Sequence, residues 1–220
     1  MEFNNNFRTF LIAIIPFFAV LIYGCANTGN LVLKTTNATT ELNQTRTIGI
    51  GMGNIPPDFT VVTTEEKTVT LSEFARNKKP VVVYFMATWC PYCVRDYTSL
   101  SKVYKNYENN LSFLSISLDL SEDPNVLGEY KKKYLELQNT MFAPGQSDIL
   151  INYAVKKTTT KYAIDRNGRI IYAGFGAFDD EQWKQLLDAL TKGVDNEIES
   201  GKNQEVLIIS ENDPQDFCTI

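Results

Sequence analysis

The 220-residue sequence contains no histidine. That absence removes whole classes of chemistry. No histidine base can activate a serine or a cysteine, no imidazole can ligate zinc, and no imidazole can change charge near neutral pH. Cysteine is scarce too: Cys25, Cys90, Cys93 and Cys218 are the four. They fall in three separate contexts and do not read as the disulfide framework of a small secreted domain. Charge is modest, with 21 basic against 26 acidic residues and a net charge of -5. The basic residues are not bunched, and phosphate binding needs a basic footprint, so nucleic acid is not an expected partner. Among the usual side-chain nucleophiles, cysteine is the best supported.

Charge is also missing from a long N-terminal stretch. From Thr9 to Leu33 no residue is ionisable at neutral pH in the acid or basic sense, and Phe10 to Tyr23 is strongly apolar. Arg8 and the terminal amine precede it. A short basic region before a hydrophobic core is the pattern of an export signal. Two readings of residues 1–33 follow. Gly24-Cys25 resembles a lipobox, in which Cys25 would be lipidated, although Tyr23 fits that pattern poorly. Alternatively the run extends through Leu31-Val32-Leu33 as an uncleaved signal anchor, long enough to cross about 30 Å of hydrocarbon. Either reading, with Arg8 on the near side, expects a membrane-anchored chain whose catalytic domain lies on the extracytoplasmic side. Residues 34–53 are rich in Thr, Asn and Gly and read as a flexible tether. Asn37, Asn43 and Asn110 open glycosylation sequons.

Residues 54–193 alternate between strand and helix signals. Phe59–Thr63 and Thr68–Thr70 flank Thr64–Lys67 as a small hairpin. Ser72–Asn77 suits a short helix. Val81–Met86 is a continuous apolar, β-branched run, as expected for a strand buried on both faces. Val94, Tyr97, Leu100, Val103, Tyr104 and Tyr107 recur at helical spacing and predict a helix from Cys90 to about Tyr107. Leu111–Leu118 predicts a strand and Pro124–Leu137 a helix. Gln138–Asp148 reads as irregular, and Ile149–Tyr153 as a short helix. Lys161–Ile164 and Arg169–Tyr172 surround Asp165-Arg166-Asn167-Gly168, a hairpin signal. Asp179–Leu190 is an amphipathic helix. The pattern predicts α/β layers around a central sheet. Residues 194–220 form an acidic tail with one apolar run, Val206–Ile209, that receives no assignment.

A strand, then Ala87-Thr88-Trp89, then Cys90-Pro91-Tyr92-Cys93 opening a helix, resembles the thioredoxin superfamily. At a helix start the unpaired N–H groups and the dipole favour a Cys90 thiolate. Pro91 lacks the N–H that would be unpaired there anyway. Cys93, three residues on, shares the helix face and can close a Cys90–Cys93 disulfide. Cys90 is therefore expected to be the attacking, partly exposed thiol and Cys93 the deeper resolving one. Ile55-Pro56-Pro57-Asp58-Phe59, Leu71-Ser72-Glu73-Phe74, the Trp-Cys motif and Asp165–Gly168 narrow the resemblance to the TlpA/ResA group of extracytoplasmic thioredoxins. That likeness implies a thioredoxin-like fold: a central mixed sheet flanked by helices, with an N-terminal hairpin extension. It also implies protein disulfide or dithiol substrates, such as apocytochrome c or other exported proteins, a membrane electron donor, and no cofactor or metal. Trp89, Pro91, Tyr92, Thr158 and Thr159 are the expected substrate contacts.

Three positions depart from the family pattern. Thr159 falls where a cis-proline normally faces the disulfide, and a trans peptide is expected there because a cis bond before a non-proline costs about 2.5–4 kcal/mol. Tyr84 stands where thioredoxins proper keep a buried aspartate. Asp96 stands where this group usually has glutamate; it is either a proton-transfer partner of Cys93 or a solvated first-turn carboxylate. Two rival readings remain. A peroxiredoxin-like peroxidase would need a P-x-x-x-[TS]-x-x-C pattern that Met86–Cys90 does not supply. A non-catalytic metal or iron–sulfur module on the same fold would need more than this C-x-x-C, since copper-binding relatives use a C-x-x-x-C with a distant histidine. Cys218 reads as an idle tail thiol or as a mixed-disulfide partner of Cys90.

Overall fold

The five-stranded sheet at the centre of the molecule is mixed, with strand order β5-β4-β3-β6-β7. The computed structural model describes residues 47–192, which fall within one compact unit. The apolar N-terminal run, Cys25, the sequons at Asn37 and Asn43, the acidic tail and Cys218 lie outside the described residues. Among the described residues no helix is long and apolar enough to cross a membrane.

A small hairpin comes first, β1 (Thr60–Val62) antiparallel to β2 (Thr68–Thr70), followed by α1 (Leu71–Arg76). Residues before it are tied in: Ile48 bridges Ile55, and the Gly53 N–H donates to the carbonyl of Ile170 at 2.8 Å. The central strand β3 (Val81–Met86) is buried at every position, as its unbroken apolar sequence requires. It runs parallel to β4 (Ser112–Ser117) and antiparallel to β6 (Thr160–Ile164). On the outer sides β5 (Met141–Ala143) pairs in parallel with β4, and β7 (Ile170–Gly174) pairs antiparallel to β6. The β6–β7 turn places Gly168 at φ 79°, which only glycine adopts without strain.

The period of two along β3 divides the core. Tyr84 faces α2 (Pro91–Val103) and α5 (Asp180–Lys192), meeting Tyr97 at 5.4 Å and Trp183 at 6.3 Å between ring centroids. Phe85 faces the other way, toward Tyr153 at the end of α4 (Ser147–Asn152) and Tyr162 of β6. Each such fully buried ring contributes roughly 1.5–3 kcal/mol over leaving it in water.

Four expectations change. Helix α2 ends at Val103 and passes into a 3₁₀ turn, Tyr104–Asn106. Its inward stripe is Cys93, Asp96, Tyr97 and Leu100, so Val94 turns out to solvent at 43% exposure. Helix α3 (Pro124–Lys131) is shorter than its sequence pattern, because the Gln138 side chain donates to the carbonyls of Lys131 and Tyr134 and a separate 3₁₀ turn follows at Leu135–Leu137. The stretch taken as irregular contains β5.

Candidate active site

Cys90 occupies the N-cap of α2, with extended backbone (φ -83°, ψ 118°), and Pro91 sits at the first helical position. This puts the sulfur at the end of the helix where backbone N–H groups lack partners, an environment that favours a thiolate. Cys90 is nevertheless fully buried, not partly exposed. The reason is the segment leading into β6, whose Thr158 hydroxyl lies 3.0 Å from Cys90 Sγ. Cys93 is one turn further in and also fully buried. Neither is in a disulfide, and the two lie within reach of each other. Burial pushes the Cys93 thiol well above its ordinary range, and the neighbouring Cys90 adds to that; a hydrogen bond with the Tyr84 hydroxyl and one from the Ala87 backbone oppose it.

The loop before the helix is pinned from below by Glu122, which is 6% exposed. One carboxylate oxygen accepts from the Thr88 N–H at 2.8 Å and the Thr88 hydroxyl at 2.5 Å; the other accepts from the Ser117 hydroxyl at 2.6 Å. Trp89 projects outward, half exposed, with its indole N–H donating to Asp119 Oδ2 at 2.8 Å. Pro91 is exposed, while Tyr92 is half-buried with the Arg95 guanidinium 5.8 Å from its ring centre.

Asp96 is not a solvated carboxylate. It is 1% exposed and accepts from the Phe178 N–H at 2.6 Å and from the Tyr84 hydroxyl at 2.8 Å. The Lys161 ammonium lies 3.0 Å from Oδ2 and is itself fully buried. Register explains the meeting: Lys161 on β6 is directly opposite Tyr84 on β3, so both project toward α2. Lys161 also donates to the carbonyls of Thr159 and Gly176, and lies 4.3 Å from the Phe178 ring centre and 5.4 Å from that of Trp183. Burial raises the Asp96 carboxyl against the pull of Lys161, and burial lowers Lys161 against the pull of Asp96. Each partner holds the other charged inside a core that favours neutral forms.

Thr158 and Thr159, expected as substrate contacts, are both fully buried and present no surface to a substrate here. Thr158 instead turns onto Cys90. Thr159 adopts φ 62°, a left-handed conformation costly for a β-branched residue, and its hydroxyl accepts from the Gly176 N–H at 3.0 Å. Sequence reasoning did not single out Lys161 or Glu122. A lysine inside a short strand pattern was the available signal for the first; no local pattern marks the second. Among the described residues no group of three or more Cys, Asp or Glu gathers as a metal site.

With this geometry in view, residues 52–173 match the model of the AhpC/TSA family. The thiol–disulfide oxidoreductase ResA of Bacillus thuringiensis subsp. konkukian is 26% identical over 140 residues, covering 64% of this chain and 79% of that protein. The chloroplastic peroxiredoxin Q of Gentiana triflora is 28% identical over 130 residues, covering 55% of this chain and 57% of that protein. Among solved structures, a Bacteroides thetaiotaomicron chain designated a protein disulfide isomerase superposes with a TM-score of 0.57 at 21% identity, covering 69% of this chain and 98% of that one. That likeness establishes the thioredoxin-like fold.

Proposed function

This chain belongs to the AhpC/TSA family, as a ResA-like thiol–disulfide oxidoreductase of thioredoxin fold, and from that premise we propose that it is membrane-tethered and exchanges disulfides in exported proteins through Cys90 and Cys93. The observation that carries the reading is the pair itself: two cysteines not joined in a disulfide and in reach of each other, one at the helix cap and one a turn deeper. In the reducing direction the Cys90 thiolate attacks a substrate disulfide, forming a mixed disulfide and releasing one substrate thiolate. Cys93 then attacks Cys90 Sγ, closing Cys90–Cys93 and releasing the second substrate thiolate. Two electrons pass to the substrate, and the reverse sequence oxidises a dithiol. Because Cys90 has no exposed surface in the dithiol form, entry of a substrate sulfur requires the segment at Thr158 to shift. Half-exposed Trp89 is the large apolar side chain beside that entry.

Exported substrates such as apocytochrome c and a membrane electron donor are part of this proposal, supported by the likeness to a thiol–disulfide oxidoreductase and by the apolar run at Phe10–Tyr23. Cys25 is the residue that lipidation would use. Alkaline extraction of membranes and protease accessibility in intact cells test the tether and its side; release into the soluble cytosolic fraction would count against both.

Cys90→Ser is expected to abolish reduction of insulin disulfides, while Cys93→Ser accumulates mixed disulfides resolvable by added thiol. Full activity in Cys90→Ser would end the reading. Direction is set by the reduction potential of the pair: a value near about -270 mV marks a reductase and one near about -120 mV an oxidant.

The peroxiredoxin Q match favours one second reading, a peroxidase. There the Cys90 thiolate attacks the peroxide O–O bond, leaving sulfenic acid and releasing hydroxide or alcohol, and Cys93 condenses with it to give the disulfide and water. Thiol-dependent peroxide consumption faster than insulin reduction by the same protein would support it.

A further inference from the structure

We propose that the acidic C-terminal segment, residues 193–220, docks on a basic and aromatic rim beside Cys90 and presents Cys218 as an internal thiol that exchanges with the Cys90–Cys93 disulfide. The inference rests on the dithiol reading above and adds a third thiol to it. The rim follows from strand order. Cys90 comes after β3, with β4 and β5 on one side and β6 and β7 on the other. At this end of the sheet the β4–β5 side carries Asp119, Glu122, Asp123 and Asp148. The β6–β7 side carries Lys156 and Lys157, in the segment entering β6. Arg95 joins them from α2: it shares a helix face with Lys102, which pairs with Asp180 at the start of α5 at 2.9 Å.

Two of these cations lie against aromatic rings. Lys157 Nζ is 4.2 Å from the Phe175 ring centre, and Lys157 immediately precedes Thr158, whose hydroxyl is 3.0 Å from Cys90 Sγ. The Arg95 guanidinium is 5.8 Å from the ring centre of Tyr92, the residue next to Cys93. Both rings are half-buried. The carboxylates on this side are committed: Asp96 to Lys161 in the core, Asp179 to the Gln182 N–H and Asp180 to Lys102. Such a surface attracts carboxylates, and its rings offer stacking area to another ring.

Residues 193–220 lie outside the described region, and their composition is the complement of the rim. They hold seven acidic residues and one basic, Lys202. Asp213, Asp216 and Phe217 all lie within five residues of Cys218, so carboxylates and a ring that suit the rim come with a thiol. Reach is not limiting. The Thr191 carbonyl, near the end of α5, accepts from Arg166 of the β6–β7 turn at 3.3 Å, so the segment starts at the end of the sheet opposite Cys90. Strand β3 covers about 20 Å between those ends. The chain from Lys192 to Cys218 can extend over more than about 80 Å. Because it belongs to the same chain, its encounter with the rim is intramolecular, an advantage that a separate acidic peptide lacks.

In the oxidised protein the Cys218 thiolate attacks Cys90 Sγ, entering as a substrate sulfur does where Thr158 shifts. The Cys90–Cys93 bond breaks, and Cys93 leaves with the electron pair and takes up the proton that Cys218 gave up. The products are a Cys90–Cys218 disulfide and a Cys93 thiol. No electrons are gained or lost, so the step needs no further oxidant. Attack by Cys93 on Cys90 Sγ reverses it. While docked, the segment competes with substrate for the same rim.

The experiment uses the full chain in detergent, carrying Cys25→Ser. It is oxidised with one equivalent of diamide, quenched with acid and N-ethylmaleimide, and mapped for disulfide-linked peptides. A Cys90–Cys218 pair within monomers is expected beside Cys90–Cys93. Asp213→Asn with Asp216→Asn should lower its yield about fivefold, as for loss of two exposed ion pairs. Raising the salt from about 0.05 to about 0.5 M should act in the same direction. Lys157→Glu should do so too, and adding Asp216→Lys to it should restore the yield. In insulin reduction, removal of residues 211–220 should lower KM by about 10-fold with kcat little changed, as when a largely occupied face becomes free. Absence of the Cys90–Cys218 pair, a yield indifferent to charge and salt, or a KM unmoved by the truncation overturns the proposal. A pair found only in disulfide-linked dimers overturns it in favour of a second copy as the occupant. Insulin reduction at the full rate by a Cys90→Ser protein overturns the dithiol reading instead.

Discussion

A single hydroxyl takes the place usually held by a ring. The residue before β6 that approaches the nucleophile is Thr158, with Oγ1 3.0 Å from Cys90 Sγ, and the next residue, Thr159, is held at φ 62° by its own hydroxyl contacts. A proline ring at 159 would fix φ near about -65° and could not occupy this conformation. Thr158 can donate to a Cys90 thiolate, and a hydrogen bond to a charged acceptor is worth about 1.5–3 kcal/mol. Thr158→Val, which keeps the shape and removes the donor, should therefore slow alkylation of Cys90 by iodoacetamide at pH 7 by about 10-fold. Thr158→Ser should retain most of the rate. Equal rates in Thr158→Val and the parent would mean that the hydroxyl accepts from the thiol and does not support the thiolate. Thr158 and Thr159 also mark where sequence reasoning fell short. The missing proline was visible, but its consequence depends on how the segment bends once the ring is gone, and no local pattern encodes that bend.

At the level of elements, the active-site turn owes its position to a partner well removed in sequence. Glu122, just before α3, reaches under Ala87–Cys90 and satisfies both the N–H and the hydroxyl of Thr88. Glu122→Ala leaves the N–H and the hydroxyl of Thr88 without this acceptor in a nearly closed environment, while the Ser117 hydroxyl keeps the Asp119 carbonyl at 3.1 Å. The expected loss is about 2–3 kcal/mol of folding stability by urea denaturation, since charged hydrogen bonds of this kind contribute about that much. Glu122→Gln should recover part of it. A loss under about 0.5 kcal/mol, the range of ordinary surface substitutions, would show that the turn is held by other contacts. The contrast with β3 is instructive. Val81–Met86 was legible because an all-apolar, β-branched run has one comfortable place, the middle of a covered sheet. The β1–β2 and β6–β7 hairpins were legible because turn chemistry is local. Strand β5 was not, because three residues carry too little alternation. It exists because β4 pairs with it and the Thr64 N–H donates to Phe142 from the hairpin side. The inward position of Asp96 was hidden for a different reason. Its counter-ion, Lys161, comes from a strand 65 residues later, and only sheet register brings the two together.

Over the whole molecule, the core stands out for the number of phenols it encloses. Tyr84, Tyr97, Tyr104 and Tyr153 have no exposed surface, and burial pushes each above the ordinary tyrosine range. Tyr107, beside Asp188, is pushed up to about 12, with burial the first cause and the carboxylate bond the second. A group whose folded pKa lies above its unfolded value favours the fold in its protonated form. That contribution is complete below the unfolded pKa, about 10 for tyrosine, and is lost as pH rises through the folded value. Each such group adds a slope of about 1.4 kcal/mol per pH unit over its window. In the dithiol form Cys93 acts in the same sense and begins earlier, from about 8.5, because burial raises it as well. The reduced protein should therefore lose stability from about pH 8.5 and steeply above about 10. The disulfide form, with no Cys93 proton to release, should hold level between those values. Urea denaturation of the two forms at stepped pH measures the difference. Phenolate absorbance near 295 nm should appear in one cooperative step together with loss of the near-ultraviolet circular dichroism. A smooth titration of all tyrosines centred at about 10, with the dichroism intact, would mean that the phenols reach water in the folded state and that the aromatic core is open to solvent.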